Sequence, residues 1–135
     1  MKAIKGKPMH KVGIGHTRWA THGERNDTNS HPHCDYKQRI ALVHNGIIEN
    51  YQVLLEDLKH TYSLVPKSET DSEVIALLLG VYLDTGKNII DAIKETCSRL
   101  IGSYNLAIIY LEEPESVYLV KNSGAMAVAK NHENN

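Results

Sequence analysis

The sequence predicts an α+β domain built on an antiparallel sheet. Three observations predict it: strand-type patterns stand towards both ends, three helical periods run consecutively between them, and the later strands are joined by short turns. At 135 residues the chain fits one compact unit, since a typical domain has roughly 100–150. Hydrophobic residues make up 41%, enough to build the core of a chain this long.

Each element follows from its pattern. Residues 1–11 carry Lys2, Lys5, Lys7 and Lys11 without an acid, and read as a solvated terminus in preference to a phosphate-binding arm. From Val12 the pattern alternates, with Val12, Ile14 and His16 on one face and Gly13, Gly15 and Thr17 on the other, as in a short strand. Residues 18–38 collect Gly23, Asn26, Asp27, Asn29, Ser30 and Pro32 without a period and read as a long ordered loop. Such loops in compact domains are usually functional or disordered. Arg39 to Asn45 is nearly all apolar, as expected of a strand covered on both faces.

Three helices follow. The first, about Asn50–His60, spaces Tyr51, Leu54, Leu55 and Leu58 along one face. The second opens on Thr70 and Glu73, a T-x-x-E capping box, carries Val74, Leu77, Leu78 and Val81 as its stripe, and stops at Gly86. The third starts near Asn88, turns Ile89, Ile93, Cys97 and Leu100 inward and ends at Gly102. Strands resume over Ser103–Leu111, turn through residues 112–115 and return over Ser116–Lys121, with a further strand expected at Ala125–Lys130. Residues 131–135 form a polar tail with nothing to bury.

Composition narrows the function. Fifteen Lys and Arg oppose sixteen Asp and Glu, a formal net charge of −1, so no overall field recruits nucleic acid or an anionic membrane. Small-molecule chemistry is favoured. Cys34 and Cys97 are too few for a disulfide framework and read as thiols in a reducing cytosol, so the expected location is cytoplasmic. The longest apolar run, Val74–Leu79, falls far short of the roughly 18 residues of a membrane span.

Several groups could carry chemistry. His31-Pro32-His33-Cys34 invites a metal reading, but the spacing is poor for zinc and no second cysteine lies nearby, so loop histidines satisfied by hydrogen bonds are the better reading. Neither a metal nor a cofactor is expected. Cys34 beside His33 and Asp35 could be a nucleophile, but sequence neighbours on a loop rarely hold the fixed geometry that a nucleophile and its base require. Asn45-Gly46 at a strand end would ordinarily be a hairpin turn. A helical pattern follows it, however, and a side-chain amide next to a backbone N–H can instead donate to one oxygen, as an oxyanion hole requires. Arg18, Thr21 and His22 could hold an α-carboxylate with Trp19 excluding water, and a surface arginine beside a half-buried tryptophan explains them equally well. Asp71 suits a helix start by its charge alone and equally suits an ammonium group.

Four linked motifs, HTRWATHGE at 16–24, NSHPH at 29–33, VHNGIIENY at 43–51 and SETDSEVIA at 68–76, resemble the glutaminase domain of glutamine:fructose-6-phosphate aminotransferases (isomerizing), the class II glutamine amidotransferases of glucosamine 6-phosphate synthesis. The resemblance runs from about residue 11 to about residue 125. It implies an αββα sandwich of the N-terminal-nucleophile hydrolase type, with L-glutamine as ligand. It also implies that Arg18, Thr21 and His22 hold the glutamine α-carboxylate and Asp71 its α-amino group, that Trp19 belongs to the closing loop, and that Asn45 and Gly46 form the oxyanion hole.

In that family an N-terminal cysteine attacks the amide, its own amino group serves as base, and ammonia passes to a sugar isomerase domain. This chain starts with Met1-Lys2, and Cys34 and Cys97 stand outside the motif. The expectation is therefore a partial domain over 1–130, an incomplete sandwich that does not hydrolyse glutamine alone. A catalytically silent module that binds glutamine or a homologous partner is the alternative. A missing central strand would leave an edge prone to association, so a homo-oligomer is a possible state.

Overall fold

The computed structural model describes residues 11–17 and 26–129. Within them the elements run β1 (His33–Cys34), β2 (Ile40–Ile48), α1 (Tyr51–Tyr62), α2 (Asp71–Asp84), α3 (Ile89–Arg99), β3 (Gly102–Tyr110) and β4 (Glu113–Lys121). The strands form one antiparallel sheet in the order β1-β2-β3-β4. No helix among the described residues is long and apolar enough to cross a membrane.

The period-2 pattern sorts the sheet into two unlike faces. Ile40, Leu42, His44 and Ile48 of β2 stand beside Ile108, Leu106 and Tyr104 of β3, all at least nine-tenths buried, and pack against the helices. The opposite face carries Ala41, Val43, Asn45 and Ile47, then Asn105, Ala107 and Ile109, then Val117 and Leu119. No helix among the described residues covers that face, and Ile47, Val117 and Leu119 are each more than 40% exposed. The expectation of a strand covered on both sides is met only in part, since on the second face Val43 is buried while Asn45 is exposed, and the described helices all lie in one layer on the first.

Helix α2 anchors that layer. Its sequence promised a stripe, yet every residue from Asp71 to Val81 is buried, because β1, β2, α1 and α3 all pack around it. Gly80 lets the β1–β2 connection close onto it, since a Cβ there would stand 2.8 Å from the Asp35 Cβ. Arg39 ties the contact by donating to Asp35, to Asp84 and to the Gly80 carbonyl. Thr70 caps α2 by accepting from Glu73 N–H, as expected. The other half of the capping box differs, because the Glu73 carboxylate accepts from the Lys67 and Ser68 N–H groups. Gly86 follows α2 at φ +83° and donates its N–H to Leu83. Leu54 and Leu58 of α1 are buried, as are Ile89 and Ile93 of α3, while Cys97 is half-buried.

Other boundaries moved for physical reasons. Residues 12–17 keep the expected alternation, with Val12, Ile14 and His16 the more buried set, but they form no ladder. β1 pairs with only Ala41 and Leu42 of β2, and no described strand pairs with residues 12–17. The two-residue β1 lay unseen in the long loop because so short a strand has no period. The strand expected at 125–130 is absent from 125–129, where only Met126 is even partly shielded. The β3–β4 turn is tighter than expected, and β4 begins at Glu113. It accepts Pro114 because an outer strand needs ladder N–H groups on one side only.

Candidate functional site

β2 runs straight through Asn45-Gly46, so neither the strand end nor a hairpin turn lies there. Asn45 stands opposite Asn105, Gly46 opposite Tyr104, and the ladder continues to Ile48 opposite Gly102. Gly46 is the irregularity, with φ +141°. A Cβ at that position would lie 2.0 Å from the Ser103 carbonyl oxygen, so only glycine fits between β2 and β3 here. The positive φ also turns the peptide carrying the Gly46 N–H relative to the pleat that follows. Such a turn departs from regular ladder geometry beside an exposed carboxamide, Asn45.

Asp71 approaches this stretch from the helix side. As the first residue of α2 it is 4% exposed, and its Oδ2 accepts from the Ile48 N–H at 2.9 Å. Its Oδ1 accepts from Ser72 Oγ at 3.3 Å and stands 3.7 Å from His44 Nδ1. The carboxylate is therefore fixed against the residues on either side of Asn45-Gly46. Asn45 itself leaves β2 on the opposite, open face. Arg18, Trp19, Thr21 and His22 lie outside the described residues.

The histidines that suggested a metal do something else. His31 Nδ1 accepts from the His44 N–H at 3.3 Å, so its other nitrogen, 3.4 Å from Ser72 Oγ, carries the proton. His44 Nδ1 is 2.9 Å from the same hydroxyl, and His33 Nε2 is 3.0 Å from Thr70 Oγ1. The His16 ring stacks on His31 at 4.5 Å, and His31 meets His33 edge-on at 5.0 Å. Among the described residues no group of three His, Cys, Asp or Glu side chains is arranged to hold a metal ion. Asn29 completes the assembly by accepting from Glu69 N–H and donating to its carboxylate. Segments of all four motifs thus meet at the N-terminus of α2.

Neither described cysteine is equipped as a nucleophile. Burial first, then the neighbouring Asp35 charge, pushes the Cys34 thiol up. Its neighbours are committed elsewhere, Asp35 to Arg39 and His33 to Thr70. Burial also pushes up Cys97. Two groups escaped the sequence reading. His44 Nε2 and Asn105 Oδ1 are buried and have no hydrogen-bond partner among the described residues. Asn105 carries no motif, and only the strand register brings it to Asn45.

Residues 16–132 match the family model of the glutamine amidotransferase domain. The chain is 46% identical over 119 residues to the glutamine–fructose-6-phosphate aminotransferase (isomerizing) of Aeropyrum pernix, covering 87% of this chain and 19% of that protein. It is 47% identical over 116 residues to the enzyme of the same name from Thermococcus kodakarensis, covering 86% and 19%. The chain therefore spans about a fifth of the length of these relatives. Among solved structures, the glutamine phosphoribosylpyrophosphate amidotransferase of B. subtilis, complexed with ADP and GMP, superposes with a TM-score of 0.57 at 28% identity. That match covers 71% of this chain and 20% of the other. A second structure, titled as the allosteric regulatory enzyme of purine biosynthesis, gives 0.53 at 28% identity over 62% of this chain and 18% of the other. The helical layer on an antiparallel sheet is thus part of the amidotransferase form of the N-terminal-nucleophile hydrolase fold, and the chain belongs to the glutamine amidotransferase domain family.

Proposed function

We propose that this chain is the glutamine-binding portion of a glutaminase domain. Glutamine's α-ammonium group pairs with Asp71, and its α-carboxylate with Arg18, Thr21 and His22, while Trp19 belongs to the loop that closes over it. The Asn45 amide and the Gly46 N–H donate to the side-chain carbonyl oxygen. In the longer enzyme, ammonia released from glutamine passes to a sugar isomerase domain that forms glucosamine 6-phosphate from fructose 6-phosphate.

The observation that carries this reading is the Asp71 carboxylate, held against Ile48 and His44 across the strand stretch where Gly46 is forced to be glycine. In this reading Asn45 and Gly46 supply the donor pair for an oxygen from β2, and Asp71 supplies the acid for an ammonium from the helix end docked on that strand. Calorimetry with L-glutamine tests it. Asp71→Asn retains an acceptor for Ile48 N–H but loses the charge, and is expected to weaken binding about tenfold or more, the worth of a charge-assisted hydrogen bond. Unchanged affinity in Asp71→Asn and in Arg18→Ala would sink the assignment.

A silent binding module is favoured over a self-sufficient hydrolase by the two described cysteines, both raised in pKa and without a base. The isolated chain is expected to bind glutamine without releasing glutamate. Glutamate release that disappears in Asn45→Ala would overturn that expectation.

A further inference from the structure

We infer that Asn105 is a positioning residue for Asn45, its carboxamide oxygen accepting one amide proton of Asn45 so that the other is aimed at the ligand oxygen; this rests on the glutamine-binding reading for its purpose but not for its geometry. The two asparagines are direct cross-strand partners in the β2–β3 ladder and share the open face of the sheet. Directly opposed residues have Cβ atoms about 4.5–5.5 Å apart, within reach of one carboxamide for another. Asn105 Oδ1 is buried and has no hydrogen-bond partner among the described residues, a state that carries a desolvation penalty until a donor arrives. The Asn45 carboxamide is the exposed, rotatable donor beside it.

The chemical reason is the symmetry of an amide. Its oxygen and nitrogen ends are nearly the same shape, and only the nitrogen end can stabilise a developing oxyanion. An exposed asparagine left to itself samples both orientations. An acceptor fixed on the neighbouring strand selects the orientation with nitrogen inward to Asn105, which leaves its second N–H for the ligand. Asn105 in turn is placed by its pairing in β3, opposite Asn45 on one side and Lys121 on the other.

Nitrogen-15 NMR of the side-chain amides of the whole chain tests this, with the Asn45 pair assigned by its disappearance in Asn45→Asp. One Asn45 amide proton is expected to exchange with solvent about fivefold more slowly than the other, the change an ordinary net hydrogen bond produces. Asn105→Leu abolishes the difference, and Asn105→Ala serves if the leucine variant does not fold. Asn105→Asp, which keeps an acceptor, restores it, a rescue that a packing role would not give. Added L-glutamine shifts the second proton. An exchange difference that survives both Asn105→Leu and Asn105→Ala overturns the pairing. A difference that depends on Asn105 while glutamine moves neither proton upholds the pairing and overturns the glutamine-binding reading alone.

Discussion

Replacing Gly46 with alanine is expected to destabilise the chain by about 3–5 kcal/mol, and the structure shows where the energy goes. The added Cβ would stand 2.0 Å from the Ser103 carbonyl oxygen, 2.7 Å from its carbon and 2.9 Å from the Tyr104 Cα, all backbone atoms that cannot rotate away. Relief requires β2 and β3 to separate by on the order of 1 Å, or Gly46 to leave φ +141°; a backbone strained at such a φ costs about 1–3 kcal/mol. Separation loosens the ladder bonds on either side, each worth about 1 kcal/mol net. Alanine's lower unfolded-state entropy returns at most about 1 kcal/mol. Urea titration followed by circular dichroism reads the change as a lower midpoint at unchanged slope. Gly15→Ala, which meets nothing within 4 Å, is the control and should stay within about 0.5 kcal/mol. A Gly46→Ala variant within 1 kcal/mol of wild type, on the order of a single ladder bond, would refute the claim that close strand approach dictates this glycine.

Other outcomes follow from the same structure. Thr70→Ala should cost about 1–2 kcal/mol by urea titration, because one hydroxyl caps Glu73 N–H and also meets His33 and Ser68. Ile75→Ala, at a fully buried site in α2, should cost about 2–5 kcal/mol in the same assay. Lys37, then Tyr36, with Arg39, holds the Asp84 carboxyl down to about 2. Its unfolded value is near 4, so this contribution is complete above about pH 4 and is lost as the pH falls towards 2. Asp84→Asn should therefore lower the melting temperature at pH 6, and the difference from wild type should shrink towards pH 2. Because Asp84 is partly exposed, the loss at pH 6 is about 1 kcal/mol or less.

The helices were legible because each carries its own signals. Thr70 and Asn88 cap as their side chains require, and Leu54 and Leu58 face inward as their spacing requires. Such signals are local, three or four residues apart. The strand over 12–17 was misread for the opposite reason, since alternation predicts which side chains turn inward but not whether the backbone joins a ladder. Asn45-Gly46 shows the same division. Its glycine, unexpected in a strand, marked the place, while the reason, a carbonyl of β3 pressed against it, lies 57 residues away along the chain.

By itself the sequence determined the class of fold, the three helices, the family and the residues worth suspecting, because period, capping and motif are written in neighbouring positions. Only the tertiary structure decided that His44 and Ser72 flank Asp71 with His31 beyond them, that no described helix lies on one face of the sheet, and that Asn105 stands beside Asn45. Those facts depend on strand register and on how α2 docks. Both are settled by the burial of many distant side chains at once, and no local pattern encodes that sum.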